Sequence, residues 1–133
     1  MPANAADTYC TLQKFGTATF LARIVGADGT PIGRADIVAL DYRLSLLDDQ
    51  DADVRTPVAG HENVSLAVAA VMFNELQTGF VWTADAAGYN FRHALDVSQH
   101  AAFAIAGRRY LLEYRLVPVV GQMILVRFRI NVI

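Results

Sequence analysis

Few residues in this sequence could take part in covalent catalysis, and none has the neighbours that such chemistry requires. The chain contains three serines and three histidines, namely Ser45, Ser65, Ser98, His61, His93 and His100. No serine lies in a Gly-x-Ser-x-Gly turn, and no two histidines have the spacing that would place both imidazoles on one helical face around a metal. The pattern lacks a nucleophile beside a base, so we predict that the protein is not an enzyme.

The single cysteine and two of the histidines have simple structural interpretations. His61 precedes Glu62 in a polar segment, which predicts a solvated surface pair. His93 falls on the apolar side of a strand, which is typical of a packed histidine bonded to a backbone carbonyl. Cys10 is the only cysteine, which excludes an intrachain disulfide and a cysteine-based metal cluster and predicts a buried or half-buried thiol.

The best candidate for a metal site is a run of alternating carboxylates, Asp49, Asp51 and Asp53, because Ca²⁺ prefers several oxygen ligands from a flexible loop. A calcium loop of this type has glycine at its sixth position and glutamate at its twelfth, where this chain has Val54 and Gly60. A solvated acidic loop is the favoured interpretation. No glycine-rich loop ending in Gly-Lys-Ser or Gly-Lys-Thr occurs, so we expect no metal, nucleotide or other cofactor.

Alternation of apolar and polar residues with a period of two predicts an all-β protein. The alternating segments are 17–25, 36–46, 64–69, 89–95, 109–116 and 124–130. The segment 71–77 fits either a strand or a helical turn, and 97–107 fits either a loop or a short helix. Turn-forming residues separate the segments, so we predict an immunoglobulin-like antiparallel β-sandwich of about six to eight strands. The chain length predicts one domain, residues 17–133, preceded by an N-terminal arm, residues 1–16.

Aromatic residues refine the fold prediction. After a bend at Gly107, Tyr110 stands two residues before the inward-facing Leu112, a spacing typical of the tyrosine corner in immunoglobulin-like domains. Aromatic side chains at strand positions usually pack in the core. The aromatic residues that we predict to be structural are Trp82, Tyr89, Phe91, Tyr110 and Tyr114.

The last two predicted strands form a β-hairpin with one apolar face and one charged face. The charged face carries Arg109, Arg115, Arg127 and Arg129, with Glu113 among them. These side chains form either a solvated face with cross-strand charge pairs or a docking patch for an acidic neighbouring subunit. The arm has weak strand character and is expected to lie on a neighbouring subunit, so Cys10 and Phe15 complete the set of candidate interface residues.

Composition limits the possible partners. Apolar residues make up 54% of the chain and charged residues 18%, which excludes disorder and leaves some apolar surface after folding. The formal net charge of −2 argues against nucleic acid. The longest apolar run, residues 66–73, is too short to cross a membrane as a helix, and the first residues lack the pattern of a signal peptide. We therefore expect synthesis in the cytoplasm and no membrane partner.

Two segments resemble a known group of proteins. Residues 82–93, with the sequence WTADAAGYNFRH, and residues 109–115, with the sequence RYLLEYR, are similar to small immunoglobulin-like β-sandwich proteins from structural gene clusters of tailed phages and prophages. Similar domains occur at the N-terminus of baseplate upper proteins. The resemblance implies a virion structural protein without catalytic residues: a capsid decoration or cement protein, or a component of the neck, tail or baseplate.

The resemblance also implies partners and a location. The partners would be copies of the chain itself and other virion proteins, such as the major capsid or tail proteins, and the location would be the virion. The alternative function is a ligand-binding or adhesive β-sandwich module for carbohydrate or a host surface. Trp82, Tyr89 and Phe91 would then provide flat apolar faces for sugar rings.

Overall fold

The computed structural model describes residues 8–16, 18–25, 30–51, 53–77, 89–95, 97 and 100–133. Trp82 and the side chain of Tyr89 lie outside the described part of the chain, as does most of the segment 82–93 that carries the resemblance. The strands are β1 (Thr8–Leu12), β2 (Thr19–Ala22), β3 (Ile37–Leu47), β4 (Arg55–Pro57), β5 (Val64–Leu66), β6 (Met72–Gln77), β7 (Tyr89–Ala94), β8 (Arg109–Pro118) and β9 (Ile124–Val132). A 3-10 turn (Arg34–Asp36) precedes β3, and a single helical turn (Val68–Val71) precedes β6.

The strands form two sheets. One has the order β1-β9-β8-β3-β4, with β5 also paired to β3, and the other has the order β2-β7-β6. This arrangement places the third, eighth and ninth strands in one sheet and the second, sixth and seventh in the other, which is the order of an immunoglobulin-like sandwich. The predicted fold class is confirmed, with a larger number of strands because several short edge strands have little alternation of their own.

The core lies between the two sheets. Alternate residues of β3, β8 and β9 point inward because successive side chains of a strand lie on opposite faces. Inward side chains on these three strands that are at most 5% exposed include Tyr42, Leu44, Tyr110, Leu112, Tyr114, Leu116, Ile124, Phe128 and Ile130. Phe91 of β7 meets the Tyr114 ring edge-on, with ring centroids 4.7 Å apart. Each such large apolar side chain contributes about 1.5–3 kcal/mol when fully buried.

The start of β8 has the hydrogen bond of a tyrosine corner. The amide of Ile105 donates to the hydroxyl of Tyr110 over 3.3 Å, and Gly107 adopts a φ of +83°, which suits glycine. The Phe103 ring packs edge-on against the Tyr110 ring at 5.5 Å, and Leu112 is completely buried. The bend therefore fixes where β8 enters the core.

Asn90 is a buried polar residue on β7. Its Oδ1 accepts from the amide of Ile24 at 2.7 Å, and its Nδ2 donates to the carbonyls of Ile24 at 2.7 Å and Ile32 at 2.9 Å. The side chain joins both ends of the connection that follows β2. Because it has three hydrogen-bond partners, its burial carries no large desolvation penalty.

The two ambiguous segments have definite structures. In the segment 71–77, Val71 is the last residue of the helical turn and Met72–Gln77 forms β6. Both predicted alternatives, helical turn and strand, are therefore present, one after the other. In 97–107, the described positions, 97 and 100–107, contain no helix.

Part of the predicted N-terminal arm belongs to the sandwich. The strand β1 (Thr8–Leu12) pairs in parallel with β9, with Cys10 opposite Ile130. This is the one parallel pairing among the described strands. The described part of the arm therefore lies on its own chain. Its short, threonine-rich sequence has weak strand character, and only the exposed edge of β9 induces the strand.

Replacement of Tyr110 by phenylalanine tests the tyrosine corner. Tyr110→Phe removes the acceptor of the Ile105 amide, so we expect the free energy of unfolding to fall by about 1 kcal/mol. Urea denaturation measures this change. Tyr9→Phe is the control because Tyr9 is 73% exposed, and equal stability of the two variants would show that the corner bond contributes nothing.

Candidate functional site

The outer face of the six-stranded sheet concentrates the positive charge of the chain. Its outward positions on β3, β4, β8 and β9 carry six of the eleven lysine and arginine residues. We call this surface the arginine face, and it consists of Arg43, Arg55, Arg109, Arg115, Arg127 and Arg129. The structure thus brings together all four arginines of the predicted hairpin patch and adds Arg43 and Arg55, which the sequence analysis missed. Alternation on β3 places Arg43 on this face, but only the pairing of β4 with β3 brings Arg55 to it.

The cross-strand charge pair predicted for the hairpin arginines is present at Arg115, whereas docking to a neighbouring subunit stays a prediction. Arg115 forms a bidentate ion pair with Asp41 on the neighbouring strand, with N–O distances of 2.9 and 2.8 Å. This hydrogen bond from Arg115 lowers the pKa of Asp41, and the same bond raises the pKa of Arg115. Arg109 is exposed, and Glu113 lies between Arg43 and Arg127 across the strands. A structural pair and an exposed guanidinium thus share one face.

An exposed group of apolar side chains lies at one end of the same sheet. We call it the apolar tip, and it consists of Val38, Val117, Val119, Val120 and Met123, all at least 37% exposed. The register of β3 against β8 shifts by one residue between Ile37 and Ala39, so Val38 has no partner on β8 and its side chain is exposed. Exposed apolar side chains grouped next to charges are typical of protein contact surfaces.

The other edge of the arginine face contains an unusual bulge. Ser45 of β3 pairs with Pro57, and Tyr42 pairs with Val64, so residues 43–44 stand opposite residues 58–63. We call residues 58–63 the edge bulge. It is held to β3 by two hydrogen bonds, from the Val58 amide to the Leu44 carbonyl at 3.0 Å and from the Leu44 amide to the His61 carbonyl at 2.9 Å. Such bulges redirect side chains at the edge of a sheet.

His61 points from the edge bulge into the interior. It is 2% exposed, so the predicted solvated pair of His61 and Glu62 is wrong for His61. Its Nε2 lies 2.8 Å from the carbonyl of His100 and must donate to it, because a carbonyl only accepts. In the neutral ring Nδ1 is then the acceptor, and the Tyr42 hydroxyl donates to it over 2.7 Å. The sequence pattern could not show this because the bulge reverses the direction of one side chain.

Gly60 allows the chain to make this bulge. Its φ is +83°, and a Cβ at this position would overlap Cγ of the His100 ring. A glycine is therefore required both by the backbone conformation and by the close approach of His100.

A pocket opens on the arginine face beside the edge bulge. Its volume is about 270 Å³, and it is lined by Arg43, Ser45, Arg55, Pro57, Glu62 and Asn63. The Nε of Arg43 is buried and has no hydrogen-bond partner among the described residues. A buried guanidinium nitrogen without an acceptor is costly, and the pocket keeps two arginines close to one acid, Glu62.

A second group of polar side chains lies inside the sandwich. His93 Nδ1 and the Tyr114 hydroxyl are 2.7 Å apart, and the Tyr42 ring lies 5.3 Å from the His93 ring. The partner of this nitrogen is a hydroxyl and not the predicted backbone carbonyl, because β7 faces β8 across the core. Burial lowers the pKa of His93 to about 4 and raises the pKa of Tyr114. Both side chains are therefore neutral at pH 7.

The acidic loop between β3 and β4 is held by its own hydrogen bonds. Asp48 Oδ2 accepts from the amides of Gln50 and Asp51, and the first of these bonds contributes most to lowering the pKa of Asp48. Asp51 accepts from the amide of Asp53, and Asp49 pairs with Arg108 at 2.8 Å. Among the described residues, no group of three or more possible ligands converges on a metal position.

The remaining predicted residues lie away from the arginine face. Cys10 is half-buried against the core opposite Ile130, and burial raises the pKa of its thiol. Phe15 is 59% exposed, and its amide donates to the Phe103 carbonyl at 2.7 Å. Phe91 is completely buried and thus presents no face to a sugar ring.

Comparison of the chain with protein-family models, with curated proteins and with solved structures found no match. In the described residues, no helix has the length and apolar character needed to cross a membrane.

Replacement of Gly60 by alanine tests the edge bulge. Gly60→Ala forces a Cβ into the His100 ring, and we expect it to lower the free energy of unfolding by about 1–3 kcal/mol more than Gly107→Ala does. Gly107 is a matched control because it has the same φ of +83° and open space around its Cβ position. Urea denaturation of both variants measures the difference, and equal losses would contradict the close approach.

The pKa of His93 predicts acid sensitivity. The unfolded chain takes up a proton on this histidine near pH 6.5 and the folded chain only near pH 4, so stability is fully present above about 6.5 and falls as the pH drops toward 4. Urea denaturation over this range measures the slope. The double variant His93→Leu with Tyr114→Phe removes both polar partners and should flatten it. A slope unchanged in the double variant would show that another group is responsible.

Proposed function

We propose that the protein is a non-enzymatic structural subunit that assembles with copies of itself through the arginine face and the apolar tip. The observation that carries this proposal is the charge asymmetry of the chain. Six of its eleven cationic residues share one face although the formal net charge is −2. A positive surface on an acidic chain favours contact with the acidic side of another copy.

The acidic loop provides a matching surface on the same chain. The Asp49 side chain is 64% exposed, and Asp51 and Asp53 are exposed as well. Contact between the loop of one copy and the arginine face of the next would pair opposite charges, and the apolar tip would add burial at the side. Charges at the rim of such a contact set its register and its rate of formation more than its affinity.

The specific role that we propose is that of a virion structural protein of a tailed phage, as a capsid decoration or cement protein or a neck or tail component. This role is supported by the resemblance of residues 82–93 and 109–115 to such proteins and by a surface suited to repeated contacts. The order of neighbouring genes tests it. Portal, major capsid or tail genes beside this gene are the expected result, and a neighbourhood of metabolic genes would contradict it.

Light scattering after size-exclusion chromatography tests the assembly. We expect oligomers at low salt that dissociate at high salt, because screening weakens contacts between surface charges. Arg109→Glu should weaken the association by about tenfold or more. Arg23→Glu is the matched control, since Arg23 is also exposed but follows β2 of the other sheet. A chain that stays monomeric at every concentration and salt, or equal effects of the two variants, would overturn the proposal.

A further inference from the structure

We infer that the pocket beside the edge bulge binds one carboxylate group of an acidic peptide segment. The inference rests on the proposed function in one respect only: the segment would belong to a neighbouring subunit. The pocket itself is defined by this chain alone.

The donors that line the pocket suit a carboxylate. Arg43 and Arg55 provide two guanidinium groups, which can bind the two oxygens of a carboxylate in a forked arrangement. Ser45 adds a hydroxyl and Asn63 an amide. The Nε of Arg43 is itself buried, so the carboxylate would bind the other nitrogens of this guanidinium. Binding would therefore rest on the charge and the donors that the pocket exposes.

The charge of the pocket favours a singly charged anion. Its lining contains two arginines and one acid, Glu62, which leaves a formal charge of +1. A single carboxylate neutralises this charge. A phosphate dianion would leave excess negative charge next to Glu62, and like charges in proximity are unfavourable.

Three carboxylates of the acidic loop already have a partner in the free chain. Asp48 and Asp51 accept backbone amide protons within the loop, and Asp49 pairs with Arg108. The proposed occupant is a carboxylate of a neighbouring subunit, and the exposed Asp53 of this loop on another copy is one such group.

The walls of the pocket are held in place before any ligand binds. The edge bulge is anchored at His61, which bonds to Tyr42 and to the His100 carbonyl in the interior. Asn63 adopts a φ of +51°, a left-handed conformation that asparagine tolerates better than most residues. Because both ends of the bulge are bonded to β3, little conformational entropy is lost when the pocket takes up a ligand.

Isothermal titration with an acetylated, amidated tetra-aspartate peptide tests the inference. The full chain should bind this peptide and should not bind the corresponding tetra-asparagine peptide. Arg43→Gln should weaken binding by about tenfold or more, and Arg43→Lys by a smaller factor because it keeps the charge and loses the fork. Arg109→Gln, on the same face but outside the pocket, should weaken binding by a smaller factor than Arg43→Gln does.

Each possible result decides between the proposals. Equal weakening by Arg43→Gln and Arg109→Gln would overturn the pocket proposal and leave docking on the arginine face in place. Tighter binding of inorganic phosphate than of the peptide would have the same meaning. Peptide binding that depends on Arg43 in a chain that remains monomeric would support the pocket and overturn self-assembly. If Arg43→Gln does not fold, Arg55→Gln replaces it, because Arg55 is exposed and its loss leaves the core intact.

Discussion

The pairing of β3 with β8 determines both surfaces of the six-stranded sheet. Tyr42 stands opposite Tyr114 and Leu44 opposite Leu112, so one face of the pair fills the core. The same register places Arg43 opposite Glu113 and Asp41 opposite Arg115 on the other face. A shift of one residue would exchange the two faces and bury the charges. The cost of burying charge therefore fixes the register, and the register in turn fixes where the arginines gather.

The edge bulge departs from this regular pattern and has effects on both sides of the sheet. On the inside it delivers His61, whose two ring nitrogens both have partners. On the outside it separates the chain from β3 and leaves a pocket beside Arg43, whose Nε has no partner among the described residues. The satisfied interior and the exterior pocket belong to one backbone irregularity. The interior hydrogen bonds of His61 hold the bulge in place.

Polar side chains in the interior add specificity to an otherwise apolar core. Asn90 bonds to three backbone groups, and His93 is paired with the Tyr114 hydroxyl. Each of these groups would be costly to bury without a hydrogen-bond partner. Packing arrangements of the core in which the partner is missing are therefore disfavoured. The low pKa of His93 has the same physical cause, because partial burial of the ring disfavours its protonated form.

Local sequence patterns were sufficient to predict the strands with strong alternation, the hairpin of β8 and β9, the bend before Tyr110 and the charged face of that hairpin. These features follow from neighbours along the chain, since the period of two assigns each side chain to a face. The three-dimensional fold was needed to show which short segments become edge strands, that His61 turns inward, and that Arg43 and Arg55 line one pocket. Those outcomes depend on residues far apart in the sequence, because a strand such as β1 forms on an existing edge and a bulge is defined by its partner strand. No local pattern contains that partner.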